Sequence, residues 1–154
     1  MKVFFDTEFI DNGKTIELIS IGLICENERT YYAESSEIDL TTTDKWIQQN
    51  VIPNLEGPKI PREHIAIDIQ RIIGDRPEFW SYYASYDWVV LCQLYGKMIN
   101  IPTNWPLYVK DLKLLAEFKG NPKLPKQKSS KHHALNDALW LKEVYEFLKG
   151  IKNG

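Results

Sequence analysis

Cysteine is scarce in this chain: 154 residues contain two, Cys25 and Cys92, each inside an apolar run. A disulfide-built scaffold is thereby excluded, and with three histidines and no closely spaced cysteine pair a thiolate zinc site is not expected. Thiols in such runs behave as small hydrophobes, which fits a reducing compartment and a cytoplasmic location. Long hydrophobic runs are missing as well. Nothing approaches the roughly 20 apolar residues that cross a bilayer, and the charges at Lys2, Asp6 and Glu8 do not make a secretory leader, so no membrane partner is expected. Charge of one sign is lacking too. The net charge is −2, and the sum does not announce a polyanion as partner, although a cluster of acids lowers it without touching a basic surface. There is no internal repeat. Residues 57–61 form the one candidate linker, too short to divide the chain, so 1–154 is read as a single domain.

What is present is ordinary for a globular protein, 44% hydrophobic and 26% charged. Residues 1–10 read as a strand, Asp11-Asn12-Gly13 as a hairpin turn, 15–25 as a well-buried second strand and 29–33 as a third. The period then changes. A helix is expected over 43–51, stopping before Pro53. Another starts at Pro61, turns Ile65, Ile69, Ile72 and Ile73 inward and ends at Gly74. A short aromatic strand at 78–83 leads at once into a helix ended by Gly96. A strand near 107–109 precedes a helix over 110–119, a Pro- and Lys-rich loop over 121–131, and a last helix over 134–148. This order predicts an α/β fold with a mixed sheet, antiparallel over its first three strands and flanked by helices.

Three of these elements carry acids where apolar residues belong. Asp137 shares a helical face with Leu141, Val144 and Leu148, at spacings of four, seven and eleven. Asp87 lines up in the same way with Val90, Leu91 and Leu94. In the first strand, alternation sends Asp6 and Glu8 to one side, and the neighbouring Phe4, Phe5, Phe9 and Ile10 mark that strand as interior. An uncompensated buried carboxylate costs on the order of several kcal/mol. Each acid alone has a bland explanation: a solvated strand end for Asp6 and Glu8, a first-turn acid favoured by the helix dipole for Asp87 and Asp137. All four aimed inward would repel one another unless they meet around cations. Hard oxygen donors with no soft ligand suit Mg²⁺ or Mn²⁺. His132 and His133, five and four residues before Asp137, are either solvated loop residues or bring an imidazole over the acids as a base.

Asp6-Thr7-Glu8 on a first strand, Tyr86-Asp87 opening a helix after a strand, and His132-His133-Ala134-Leu135-Asn136-Asp137-Ala138 have the order and spacing of the DEDD superfamily of 3′–5′ exonucleases, in its histidine subtype. The segments Phe5-Asp6-Thr7-Glu8-Phe9-Ile10, Thr15-Ile16-Glu17-Leu18-Ile19-Ser20-Ile21-Gly22 and Ser85-Tyr86-Asp87 with Leu91-Cys92-Gln93-Leu94 closely resemble the polyadenylate-specific exoribonuclease AS branch. The resemblance spans nearly the whole chain and is thinnest over 35–75 and 100–131. It implies an RNase H-like fold with the later strands parallel to the first, a homodimer, and trimming of single-stranded RNA from its 3′ end by two Mg²⁺ ions, for which Mn²⁺ substitutes. It also implies the residue roles: Asp6, Glu8, Asp87 and Asp137 as catalytic metal ligands, and His132, by register, as the catalytic general base. His133 is left as a contact to the substrate or to the surroundings of the metals. Glu17 would accept a hydrogen bond from the adenine amino group, and Thr7, Phe9 and Lys131 complete the expected substrate contacts. Where many relatives have asparagine, four residues before Asp87, this chain has Tyr83.

Between residues 119 and 136 lie five lysines (Lys119, Lys123, Lys126, Lys128, Lys131) and no acid. Such a run is either a solvated loop or, because it leads into His132, a path for a phosphate backbone. Three other functions fit less of the pattern: an exonuclease for single-stranded DNA or short oligonucleotides without base preference, a catalytically silent nucleic-acid-binding domain, and a phosphatase with an aspartate nucleophile.

Overall fold

The two central strands are apolar on both faces. In the computed structural model, which describes residues 1–152, β1 (Lys2–Asp11) buries Val3, Phe4 and Phe5 completely or nearly so. It lies between β2 (Ile16–Cys25), to which it is antiparallel, and β5 (Glu78–Ser81), to which it is parallel. β3 (Thr30–Ser35) pairs antiparallel with β2 and carries β4 (Lys59–Ile60) beside it, while β6 (Lys110–Asp111) pairs parallel with β5. The six-stranded order is β4-β3-β2-β1-β5-β6. Only β2 runs against β1, so the mixed sheet expected from the sequence is the one observed.

Alternation along β1 divides the core. Val3 and Phe5 face a layer containing α2 (Arg62–Ile73) and α3 (Ser85–Gln93), where Ile65, Ile69, Ile73, Val90 and Leu91 are buried. Phe4 faces the opposite layer, α4 (Leu112–Phe118) and α5 (Ala134–Gly150), with Leu112, Ala116, Leu141, Val144 and Leu148. Asp6 and Glu8 follow Phe4 and therefore point toward α5. A smaller cluster under α1 (Lys45–Asn50) joins Ile19 to Ile47 and Val51. Near that end the register slips once: Glu8 pairs with Ser20 but Phe9 with Leu18, leaving Ile19 as an extra residue on β2.

Two elements depart from the pattern in the sequence. The strand expected near 107–109 is instead β6 at Lys110–Asp111. Leu107 and Tyr108 are exposed, and the Asp111 carboxylate accepts the Lys113 N–H to start α4. β4 has only two residues, too few for a period to register. Among the described residues no helix is long and apolar enough to cross a membrane.

One glycine sets how closely α5 approaches the sheet. Gly22 on β2 is paired with Asp6, and a Cβ there would lie 2.2 Å from the Leu135 backbone nitrogen and 2.4 Å from the Ala134 carbonyl carbon. These are backbone atoms and cannot swing aside. We expect Gly22→Ala to destabilise the fold by about 1–3 kcal/mol through overpacking, read by urea denaturation, and to lower activity further than the lost stability explains, because Asp137 rides on the displaced turn.

Candidate active site

Each acid reaches the site by a different local device. Asp6 and Glu8 are two residues apart on β1, and Glu8 is buried while the Asp6 Oδ2 atom is buried with no hydrogen-bond partner. Asp87 sits in the first turn of α3. The turn before it, with Tyr83 at φ 53°, is held by Asp111, whose carboxylate accepts the Tyr83 and Ala84 N–H groups at 3.2 and 3.0 Å. Asp87 Oδ1 in turn accepts the Thr7 N–H at 2.9 Å and the Thr7 hydroxyl at 2.5 Å. Asp137 opens α5, with Oδ2 accepting the His132 N–H at 3.1 Å and Oδ1 accepting the Gln127 side-chain amide at 2.6 Å.

His132 adopts φ 63°, a left-handed conformation in which His is tolerated better than most residues, and its ring meets the edge of Trp46 at 5.0 Å. One ligand atom each from Glu8, His132 and Asp137 lies within 4.8 Å of the others, a group that could hold a metal ion. Asp6 is within electrostatic reach of all three other acids. Elements distant in sequence thus bring the four carboxylates and His132 together. A cleft of about 630 Å³ opens over Asp6, His132 and Asp137, walled by Tyr82, Tyr83, Trp140 and the 125–127 segment.

The electrostatics follow from crowding. Burial, and then the charges of Asp87, Glu8 and Asp137, push the Asp6 carboxyl well above its ordinary range. Burial with Asp137 and Asp87 lifts Glu8 to about 8. Burial lifts Asp87 to about 6, opposed by the two Thr7 donors, and Asp137 is raised by burial against the pull of Gln127 and the His132 N–H. Without a cation, burial and crowding favour the neutral form of these acids. The orphaned Asp6 oxygen and an all-oxygen donor set beside one imidazole fit a hard divalent ion.

The expected substrate contacts fare differently. Thr7 is buried and both its donors go to Asp87, so its side chain orients that carboxylate. His133 is likewise committed. Its Nδ1 accepts the Asn136 N–H at 3.4 Å as the cap of α5, which makes Nε2 the donor to Glu56 Oε1 at 2.8 Å, and its ring stacks on Tyr32 at 4.5 Å. Phe9 stacks on Tyr86, ring centroids 6.0 Å apart. Glu17 and Lys131 are exposed, the latter on the cleft wall. Gln127, Trp46 and Asp111 were not foreseen. Each acts through a long-range contact, and only the lysine-rich setting of Gln127 hinted that its loop mattered.

A central strand with two acids, the first turn of a helix supplying another and a His-x4-Asp helix start are the arrangement expected of an RNase H-like exonuclease. Residues 1–148 match the 3′-5′ exoribonuclease Rv2179c-like domain, and the chain belongs to that family. It is 41% identical over 146 residues to the 3′-5′ exoribonuclease Rv2179c of Mycobacterium tuberculosis strain H37Rv, covering 90% of this chain and 87% of the relative. The fold is shared with S. pombe Pop2p in its Mg²⁺- and Mn²⁺-bound form (TM-score 0.59, 14% identity, 96% of this chain and 82% of that one). It is shared also with E. coli exonuclease I in a zinc-bound complex with single-stranded DNA (TM-score 0.67, 10% identity, 96% and 39%).

A carboxylate raised in the folded state binds its proton more tightly there than in the unfolded chain. Its stabilising contribution is therefore complete below the ordinary carboxylate range, near pH 4, and is lost as pH climbs through about 6 for Asp87 and about 8 for Glu8. Chelator-treated protein should show a falling Tm between pH 5 and 8, and added Mn²⁺ should restore more of it at pH 8 than at pH 5. A chelated Tm that is flat or rising over that window contradicts the assignment.

Proposed function

We propose that the chain is a single catalytic domain that removes nucleotides from the 3′ end of single-stranded RNA, with Asp6, Glu8, Asp87 and Asp137 holding two Mg²⁺ ions and His132 acting as general base. The observation that carries this reading is the convergence of four acids, Glu8 and Asp87 buried and Asp6 and Asp137 half-buried, with no Lys or Arg ion pair to them among the described residues and the Asp6 Oδ2 atom left without a partner. Divalent cations supply electrophilic stabilisation of a phosphoryl group under in-line attack. The protein's own part is to orient and to move a proton. Thr7 and Asp111 fix the Asp87 side, the His132 N–H and Gln127 fix Asp137, and the imidazole of His132, within 4.8 Å of Glu8 and Asp137, accepts a proton from the attacking water.

Lys126 and Lys131 on the cleft wall offer charge to the phosphate backbone. Adenine preference rests on Glu17, exposed and paired with Ile10 two residues past Glu8. Its carboxylate accepts from an exocyclic amino group only where a base edge is free, as in single-stranded RNA. The Phe9–Tyr86 pair is a stacking platform for a neighbouring base. Association as a homodimer is supported by Leu114 and Phe118, exposed four residues apart on α4. A cytoplasmic site of action agrees with two unpaired cysteines.

Degradation of oligo(A), oligo(U) and oligo(dA) with Mg²⁺ and with chelator tests the reading. Oligo(A) is expected to shorten stepwise from its 3′ end, only with metal, and Asp6→Ala to reduce this to background. Undiminished metal-dependent cleavage by that variant would refute it, and equal cleavage of oligo(dA) would replace it with a DNA exonuclease. Glu17→Ala should cut the oligo(A)-to-oligo(U) ratio of kcat/KM by about 10- to 100-fold, the range for a lost hydrogen bond to a charged group.

A further inference from the structure

The loop that carries the lysines is fastened to the helix that carries a metal-site acid, at two points three residues apart on α5. Gln127 donates its side-chain amide to Asp137 Oδ1 at 2.6 Å, and the Trp140 indole N–H donates to the Pro125 carbonyl at 2.9 Å. Lys126 lies between the two fastenings and, with Pro125 and Gln127, forms part of the cleft wall beside Asp6 and Asp137. The same Gln127 amide reaches the Ser130 carbonyl at 3.5 Å, and Ser130 also accepts from the Asn136 side chain at 3.4 Å, so the segment running up to His132 is stitched to the first turn of α5.

An ionised carboxylate offers about four lone-pair directions. At Asp137 two are used, by Gln127 and by the His132 N–H, which stops rotation of the group and leaves the others available to a cation. Partners of this kind, which touch a ligating side chain and not the ion, set its orientation and basicity and typically change metal affinity by about 10- to 100-fold. We propose that Gln127 is a positioning residue that fixes Asp137 for metal binding and mechanically couples occupancy of the metal site to the ordering of the Lys126 loop. The inference rests on the metal-site reading above. Coupling of this kind is reciprocal: if the Gln127 bond favours a cation at Asp137, the cation favours the Gln127 bond in return, and so holds the lysine against the cleft where a phosphate backbone passes. RNA-facing charge is then held more firmly when the hydrolytic site is loaded.

The test uses the full chain, stripped of metal and titrated with Mn²⁺ alone, free ion being read by its paramagnetic resonance signal, with amide hydrogen exchange over 121–131 as a second readout. Gln127→Leu keeps the bulk and removes the amide. Trp140→Phe keeps the ring and removes the other fastening. Circular dichroism and Tm establish that both are folded. Gln127→Leu is expected to weaken Mn²⁺ binding by about ten-fold and to abolish the slowing of loop exchange that Mn²⁺ causes in the unaltered protein. Trp140→Phe is expected to speed loop exchange while Mn²⁺ affinity stays within about two-fold, because Asp137 keeps its partner. Unchanged Mn²⁺ affinity in Gln127→Leu, or an equal loss in Trp140→Phe, overturns the proposal while leaving the metal site standing. Failure of the unaltered protein to bind Mn²⁺ overturns the metal-site reading and this inference with it.

Discussion

Mutual repulsion among four carboxylates in a water-poor pocket is the constraint around which the rest of the structure is arranged. Two of them come from a central strand of the sheet and the others from the first turns of α3 and α5. Separately each would shed its charge by binding a proton, as the upward displacement of Asp6, Glu8 and Asp87 indicates. Together they make a site whose neutral state is costly to leave in water and favourable to leave for a multivalent cation. The donors around them are correspondingly selective. Thr7 gives two hydrogen bonds to one oxygen of Asp87, and Gln127 and the His132 backbone take one oxygen each of Asp137. Asp6 receives none at Oδ2.

That arrangement depends on a tight approach between backbone and backbone. Gly22 lets the first turn of α5 descend onto the strand pair that holds Asp6, and the cap of the same turn is His133, wedged between Tyr32 and Glu56. Behind the cap, Glu34 is almost fully buried, and its Oε2 collects the Tyr32 hydroxyl and the N–H groups of Glu56 and Gly57 at 2.6 to 2.8 Å. This polar cluster meets the active site through the start of α5, where it helps hold Asp137 and His132 above the sheet, and through Ser20, the cross-strand partner of both Glu34 and Glu8.

The acids were legible in the sequence because each violates a period: Asp137 opens an otherwise apolar helical stripe, Asp87 another, and Asp6 follows Phe4 on a strand with no exposed face. The antiparallel start of the sheet was legible too, since β1, β2 and β3 are long strands joined by short turns. β4 and β6 have two residues each and leave no such trace. Thr7 is expected at the substrate, and His133 either there or in the surroundings of the metals. The sequence places them beside catalytic residues but does not say which way they turn, and the pleat sends Thr7 away from the cleft toward Asp87 while capping geometry turns His133 under the helix. Gln127 pairs with a residue ten positions away across an irregular loop, a relation that no periodicity encodes.

The slipped register near the end of β2 has its own consequence. Counting from Ser20, plain alternation would have turned Leu18 toward the α5 side and Glu17 toward the far side of the sheet. Because Ile19 occupies an additional place, Leu18 goes into the α2–α3 core and Glu17 comes round to stand with Ile10 on the side where Asp6 and Glu8 project. A single inserted residue therefore decides which side of the sheet carries the glutamate. Deleting one position there would keep the strand and all the acids yet send that side chain to the opposite side of the sheet, so a change in strand length alone moves the glutamate from one layer of the molecule to the other.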